Sequence, residues 1–89
     1  MRVKYVIRDE CGGTPILFPE WLNHTQFARK ESCLGAGVCS VRAEEKMVEA
    51  GTATVRDITV HCWGESVTLE VKSRLEEDEK LIRKMLLRS

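Results

Sequence analysis

Six side chains in this sequence could ligate a metal or act as nucleophile and base: Cys11, Cys33, Cys39, Cys62, His24 and His61. Structural zinc needs four nitrogen or sulfur ligands arranged as a tetrahedron, and its cysteines usually come in closely spaced pairs. No Cys-x-x-Cys occurs; Cys33 and Cys39 have five residues between them, and Cys11 stands alone. His61 and Cys62 are neighbours in a segment that reads as strand, so their side chains should leave on opposite faces and cannot easily share one ion. A cysteine nucleophile needs a lowered pKa and a nearby base, and the pairs open to it are Cys33 or Cys39 with His24 or His61. Nothing local marks such a dyad. The plainer expectation is that Cys39 and Cys62 are small buried hydrophobes, with no metal or cofactor bound. A zinc- or thiol-dependent protein using Cys33, Cys39 and one histidine stands as the alternative.

Other motifs point the same way. Gly35-Ala36-Gly37 precedes a strand-like segment, whereas phosphate-cradling glycines follow a strand and open a helix, so a helix-ending turn that allows close packing is the expected role. The acids Glu44, Glu45 and Glu49 and the run Glu76 to Glu79 fall where solvent exposure is expected, which leaves no paired general acid and base. The chain is therefore not expected to be an enzyme. Tryptophan is enriched among the residues that carry binding energy at interfaces. Trp21 falls in a loop and Trp63 at a hairpin turn with Glu65 beside it, so Trp21, Trp63 and Glu65 are the candidate partner-binding residues.

These residues must be held by regular elements. Val3, Tyr5 and Ile7 alternate with Lys4 and Arg8 as in a half-buried strand, and Asp9 to Gly13 supplies a turn. The return strand Ile16-Leu17-Phe18 lies between Pro15 and Pro19, which belongs at a sheet margin. Asn23-His24-Thr25-Gln26 has the form of a capping box ahead of a short helix ending near Gly35. Gly37 to Arg42 reads as a third strand and Ala43 to Gly51 as a charged connection with room for a helical turn. Thr52 to Val71 alternates strongly, with a phase slip near Asp57 and a two-residue turn at Gly64 between two strands. Ser73-Arg74-Leu75-Glu76 forms a second capping box before an amphipathic helix whose apolar stripe is Leu75, Ile82, Met85 and Leu86. Glu76 with Lys80 and Glu79 with Arg83 are spaced for pairing along it.

The chain has 89 residues and no linker-like stretch, which predicts a single α+β domain over 1–89. Hydrophobic residues at 43% and charged residues at 31% fit a globular chain rather than a disordered one. Fourteen basic side chains balance fourteen acidic ones, so no global field draws the protein onto nucleic acid. Met1 to Asp9 lacks the apolar core of a secretion signal and no long apolar run occurs, so a cytoplasmic protein with no membrane partner and reduced thiols is expected.

From Cys62-Trp63-Gly64-Glu65-Ser66-Val67-Thr68-Leu69 through Lys72-Ser73-Arg74 to Glu76-Glu77-Asp78, the chain resembles short uncharacterised proteins encoded by phages and prophages. Looser similarity extends to the first strand and to Leu22-Asn23-His24. The resemblance implies a small accessory protein that binds a host or phage protein, and it brings no catalytic residue with it. The expected fold is an antiparallel sheet of four or five strands, with the C-terminal helix on one face and a short helix after the first hairpin. An edge strand of such a sheet can pair with a partner or with a second copy, so a protein-interaction module and possible homodimer is the expected function.

Overall fold

The computed structural model describes residues 1–48 and 53–88, with side chains described for 1–44 and 57–88. The chain runs β1 (Arg2–Arg8), β2 (Thr14–Phe18), two 3-10 turns (His24–Gln26 and Lys30–Ser32), β3 (Cys33–Val48), β4 (Ala53–Trp63), β5 (Glu65–Ser66), β6 (Val71–Lys72) and α1 (Glu76–Arg88). The first four strands make an antiparallel sheet in the order β2-β1-β3-β4, and β5 pairs with β6 separately. This is the expected α+β architecture.

β1 is central and buried on both sides: Tyr5, Val6 and Ile7 are all fully enclosed. Successive strand residues point to opposite faces, so two cores form. On one face Tyr5 and Ile7 meet Cys39, Val60, Cys62 and Ile82, with Leu81 and Leu86 of α1 packed against them. On the other, Val6 meets Phe18, Ala28, Ala36 and Leu69. The helix covers the first face; the 3-10 segment and the β5–β6 ribbon cover the second. Phe18 stacks on Phe27 with ring centroids 4.2 Å apart, fixing the 3-10 segment to the sheet. A Lys30–Glu70 ion pair ties that segment to the ribbon.

Several local expectations are corrected. The capping box at Asn23 and Gln26 is present, but it opens a 3-10 turn, and no α-helix follows. The 43–51 connection is strand as far as Val48, with residues 49–51 outside the described set. The register of β3 on β4 runs unbroken through Glu44 opposite Asp57, so no bulge falls there; the irregularity lies at Ile7/Arg8. The strand expected over Val67 to Val71 is largely a turn, with Val67 exposed and Glu70 at φ 58°, and Gly64 links two sheets rather than closing a hairpin. Gly35 and Gly37 lie inside β3, not in a turn after a helix.

The helix begins at Glu76, one residue after Leu75, which takes φ 53° and is 55% exposed instead of joining the apolar stripe. Asp78, expected in a solvated acidic run, is fully buried. It accepts hydrogen bonds from the Tyr5 hydroxyl at 2.6 Å and from the Arg74 backbone N–H at 2.9 Å, and pairs with Arg74 Nε at 2.8 Å. Gly35 lies beneath it, where a Cβ would stand 2.3 Å from a carboxylate oxygen. A buried carboxylate is tolerated only when paired and hydrogen-bonded, and Asp78 meets that condition.

Candidate functional site

The candidate site is built on the face of the sheet away from α1, at the end where β1 starts. Trp63 closes β4 opposite Val38, and His61 lies two residues earlier on the same face, opposite Ser40. Their rings stack at 5.4 Å with an interplanar angle of 29°. Arg2 of β1, opposite Ser40 on the other side of β3, brings its guanidinium to 6.0 Å from the centre of the Trp63 ring. The indole is thus held against an imidazole and a cation, the latter an arrangement worth about 0.5–1 kcal/mol at a surface site. Trp63 remains half-buried, with part of its ring facing solvent.

The same arginine reaches the other predicted contact loop. Arg2 Nε lies 3.2 Å from Glu20, the residue before Trp21. Lys4 donates to the Leu22 carbonyl at 3.0 Å, anchoring the loop from its other side. Trp21, between these anchors, is 82% exposed. Glu65 is exposed two residues beyond Trp63, in β5 opposite Lys72. The three residues singled out by sequence are therefore tied to one end of the sheet, Trp21 through its neighbours and Glu65 through the chain.

Arg2 is not singled out by the sequence, and His61 is singled out there only as a possible metal ligand or base. Arg2 shows only as the charged phase of an alternating strand, and His61 as a polar strand residue. The approach of Arg2 to Trp63 depends on β3 being threaded between β1 and β4, which no local signal announces, whereas His61 stacks on Trp63 from two residues away on the same strand face. The backbone also needs Gly37 here: a Cβ on it would stand 2.4 Å from the Trp63 carbonyl oxygen. The Gly37 carbonyl in turn accepts from His24 Nε2 at 2.9 Å. His24 is buried rather than solvated, and burial lowers its pKa, opposed by the Gly37 bond and aided by Lys4.

The cysteine constellation is not assembled. Cys33 packs with the 3-10 face and Cys39 with the helix face, so the two are on opposite sides of the sheet. Cys39 and Cys62 are both fully buried and sit directly opposite each other across β3 and β4. Burial pushes the Cys39 thiol up to about 11 and the Cys62 thiol up to about 12, the opposite of what a nucleophile requires. Burial raises Cys33 as well. Cys11 is exposed in the first turn. Among the described residues, no three histidine, cysteine or carboxylate side chains are grouped as metal ligands, and no helix is long and apolar enough to cross a membrane.

α1 also shapes the sheet margin. Glu79 accepts the outward N–H of Cys62 at 2.9 Å, and Arg83 Nε donates to the outward carbonyl of Ile58 at 3.0 Å. These two side chains occupy backbone groups of β4 that a further strand would need. The i,i+4 partners expected for them along the helix are replaced by these bonds to the sheet.

No protein-family model, curated protein or solved structure matches this chain.

Proposed function

We propose that this chain is a non-enzymatic protein-interaction module of the cytoplasm, an accessory protein of the phage and prophage kind. Its contact surface is Trp63 with Trp21 and Glu65, extended by Arg2 and His61. The observation that carries this reading is a preorganised aromatic stack, Arg2–Trp63–His61, whose arginine also pairs with Glu20, the residue before a second, exposed tryptophan. A rigid aromatic anchor loses little entropy on binding, and an exposed indole in a domain this small gains from being covered. Zero net charge and the Arg2–Glu20 pairing favour a protein over a nucleic acid on this surface.

Among the described residues, β3 offers a partner strand an open edge. Beyond Ser40 the β1 pairing ends, and Arg42 to Val48 of β3 has β4 on one side only among the described residues. The outer edge of β4 is guarded by Glu79 and Arg83, and β2 carries Pro15 within its short edge. Self-association would therefore use the outer part of β3. Light scattering on the purified chain across concentration checks this, with a concentration-independent monomer counting against it.

The test of the main reading is capture from nuclease-treated lysate of the encoding cell or its host, using immobilised wild-type protein beside Trp21→Ala, Trp63→Ala and the double variant. A specific protein retained by wild type and lost from the folded double variant supports the module. Equal retention on all four, or retention abolished by nuclease alone, removes it.

A further inference from the structure

At the opposite end of β1 from Trp63, a cavity of about 230 Å³ opens between the sheet and the 3-10 segment, with Arg8, Thr25, Gln26, Arg29 and Ser32 among its lining residues. Its donors are largely unspent. Arg8 is held by Glu10, 2.6 Å from one terminal nitrogen, while its Nε is buried with no acceptor among the described residues. A buried donor left unpaired is costly, and native proteins seldom keep one without a reason. Arg29 makes no side-chain hydrogen bond or ion pair among the described residues. Gln26 uses its carbonyl oxygen to accept from the Asn23 N–H at 2.7 Å, which leaves its NH₂ group as a donor. Among the described residues, the Ser32 hydroxyl has only a long 3.4 Å contact with the Arg29 carbonyl, and the Thr25 hydroxyl has no partner.

We infer that this pocket binds a phosphate group through Arg29 and Arg8, with the Thr25 and Ser32 hydroxyls and the Gln26 amide completing the cradle. Glu10 neutralises one guanidinium, so Arg29 leaves the pocket with an uncompensated positive charge. The Arg29 fork, the remaining terminal nitrogen of Arg8, two hydroxyls and an amide offer more donors than the two oxygens of a carboxylate can use, whereas the three or four oxygens of a phosphate can accept them. The cavity is smaller than the roughly 300–1,000 Å³ of pockets that enclose a whole organic ligand. It therefore fits free phosphate or the phosphoryl end of a larger molecule. The site is separate from the Trp63 surface, and neither depends on the other.

Titration of the ¹⁵N-labelled full chain with sodium phosphate, against sodium chloride at matched ionic strength, tests the inference. Phenyl phosphate and acetate form parallel arms, and Arg29→Gln and Arg29→Lys are the variants. Arg29 is exposed, so both variants should keep the wild-type spectrum in chloride. The expected result is saturable shifts at residues 25–32 and Arg8 with phosphate. Affinity should fall about tenfold or more in Arg29→Gln, as for loss of a charge-assisted hydrogen bond, with partial recovery in Arg29→Lys. Tighter binding of inorganic phosphate would assign the pocket to the free ion, and tighter binding of phenyl phosphate to the end of a larger molecule. No saturable shift, an unchanged affinity in Arg29→Gln, or equal binding of acetate would overturn the proposal.

Discussion

His24 and the cysteines show how far burial decides what a reactive side chain can do. Neutral His24 donates from Nε2 to the Gly37 carbonyl, and burial holds its pKa below the ordinary 6.5. Between the lowered value and 6.5 the unfolded chain binds more protons than the folded one, so stability rises with pH across that window. Stability should be complete above about pH 6.5 and decline as the pH falls below it. Urea midpoints measured from pH 5 to 8 should show this slope in the wild type and lose it in His24→Gln. The thiols divide by the same logic. Exposed Cys11 should react first with an aromatic disulfide reagent, Cys33 more slowly, and Cys39 and Cys62 only on unfolding, since the reactive species is the thiolate. Four fast thiols in the native protein would contradict this placement.

At the scale of elements, β3 and α1 approach closely at one point, where Gly35 meets Asp78. Gly35 lies under Asp78, and the carboxylate is held by Tyr5 and Arg74. Removing the acid in Asp78→Ala takes away the acceptor shared by the Tyr5 hydroxyl and Arg74, leaving Tyr5 its bond to Ser73 and Arg74 its pairing with Glu77, at a cost of about 1–3 kcal/mol. Gly35→Ala should cost a comparable amount through overpacking, about 1–3 kcal/mol. Because the added methyl collides with Asp78 itself, it should cost little in the Asp78→Ala background, and a double-mutant cycle in urea reads that coupling. Gly37→Ala meets a backbone carbonyl instead and should not be rescued in this way.

This contact also marks where the sequence stops being legible. The first hairpin, the third strand, the helix and the burial of Cys39 and Cys62 follow from alternation, turn residues and amphipathic spacing, which are local. Asp78 reads as one more acid in a run because its partners, Tyr5 and Gly35, lie far away in the chain. Leu75 fits the apolar stripe by spacing, but its positive φ turns it out of the helix. The sequence over Ala43 to Val48 is charged and reads as a connection; pairing with β4 makes it strand. In the site, Trp21, Trp63 and Glu65 are visible by residue type and position. Arg2 becomes visible only once β1, β3 and β4 are placed side by side, while His61 follows from strand alternation once β4 is known to reach Trp63.

Across the whole molecule, both sheet faces are covered over the central part, by α1 on one side and by the 3-10 segment with the β5–β6 ribbon on the other. The β3–β4 pair continues past the start of β1, and the molecule measures 50 Å in its long dimension against 26 and 19 Å. The Trp63 surface lies at the start of β1 and the Arg8–Arg29 pocket at its finish, so the two can be perturbed independently. Variants at Arg29 should leave protein capture through Trp63 unchanged, and variants at Trp63 should leave phosphate shifts unchanged.

The proposed function concentrates binding energy on the Arg2–Trp63–His61 stack and on Trp21. It is tested most directly by titrating the captured partner against wild type, Trp21→Ala, Trp63→Ala, Arg2→Ala and Glu65→Ala, each checked for an unchanged unfolding midpoint. The account predicts that Trp63→Ala weakens binding by about 2 kcal/mol or more, close to thirtyfold, with smaller losses at Trp21, Arg2 and Glu65. Full affinity in a folded Trp21→Ala/Trp63→Ala protein would contradict it.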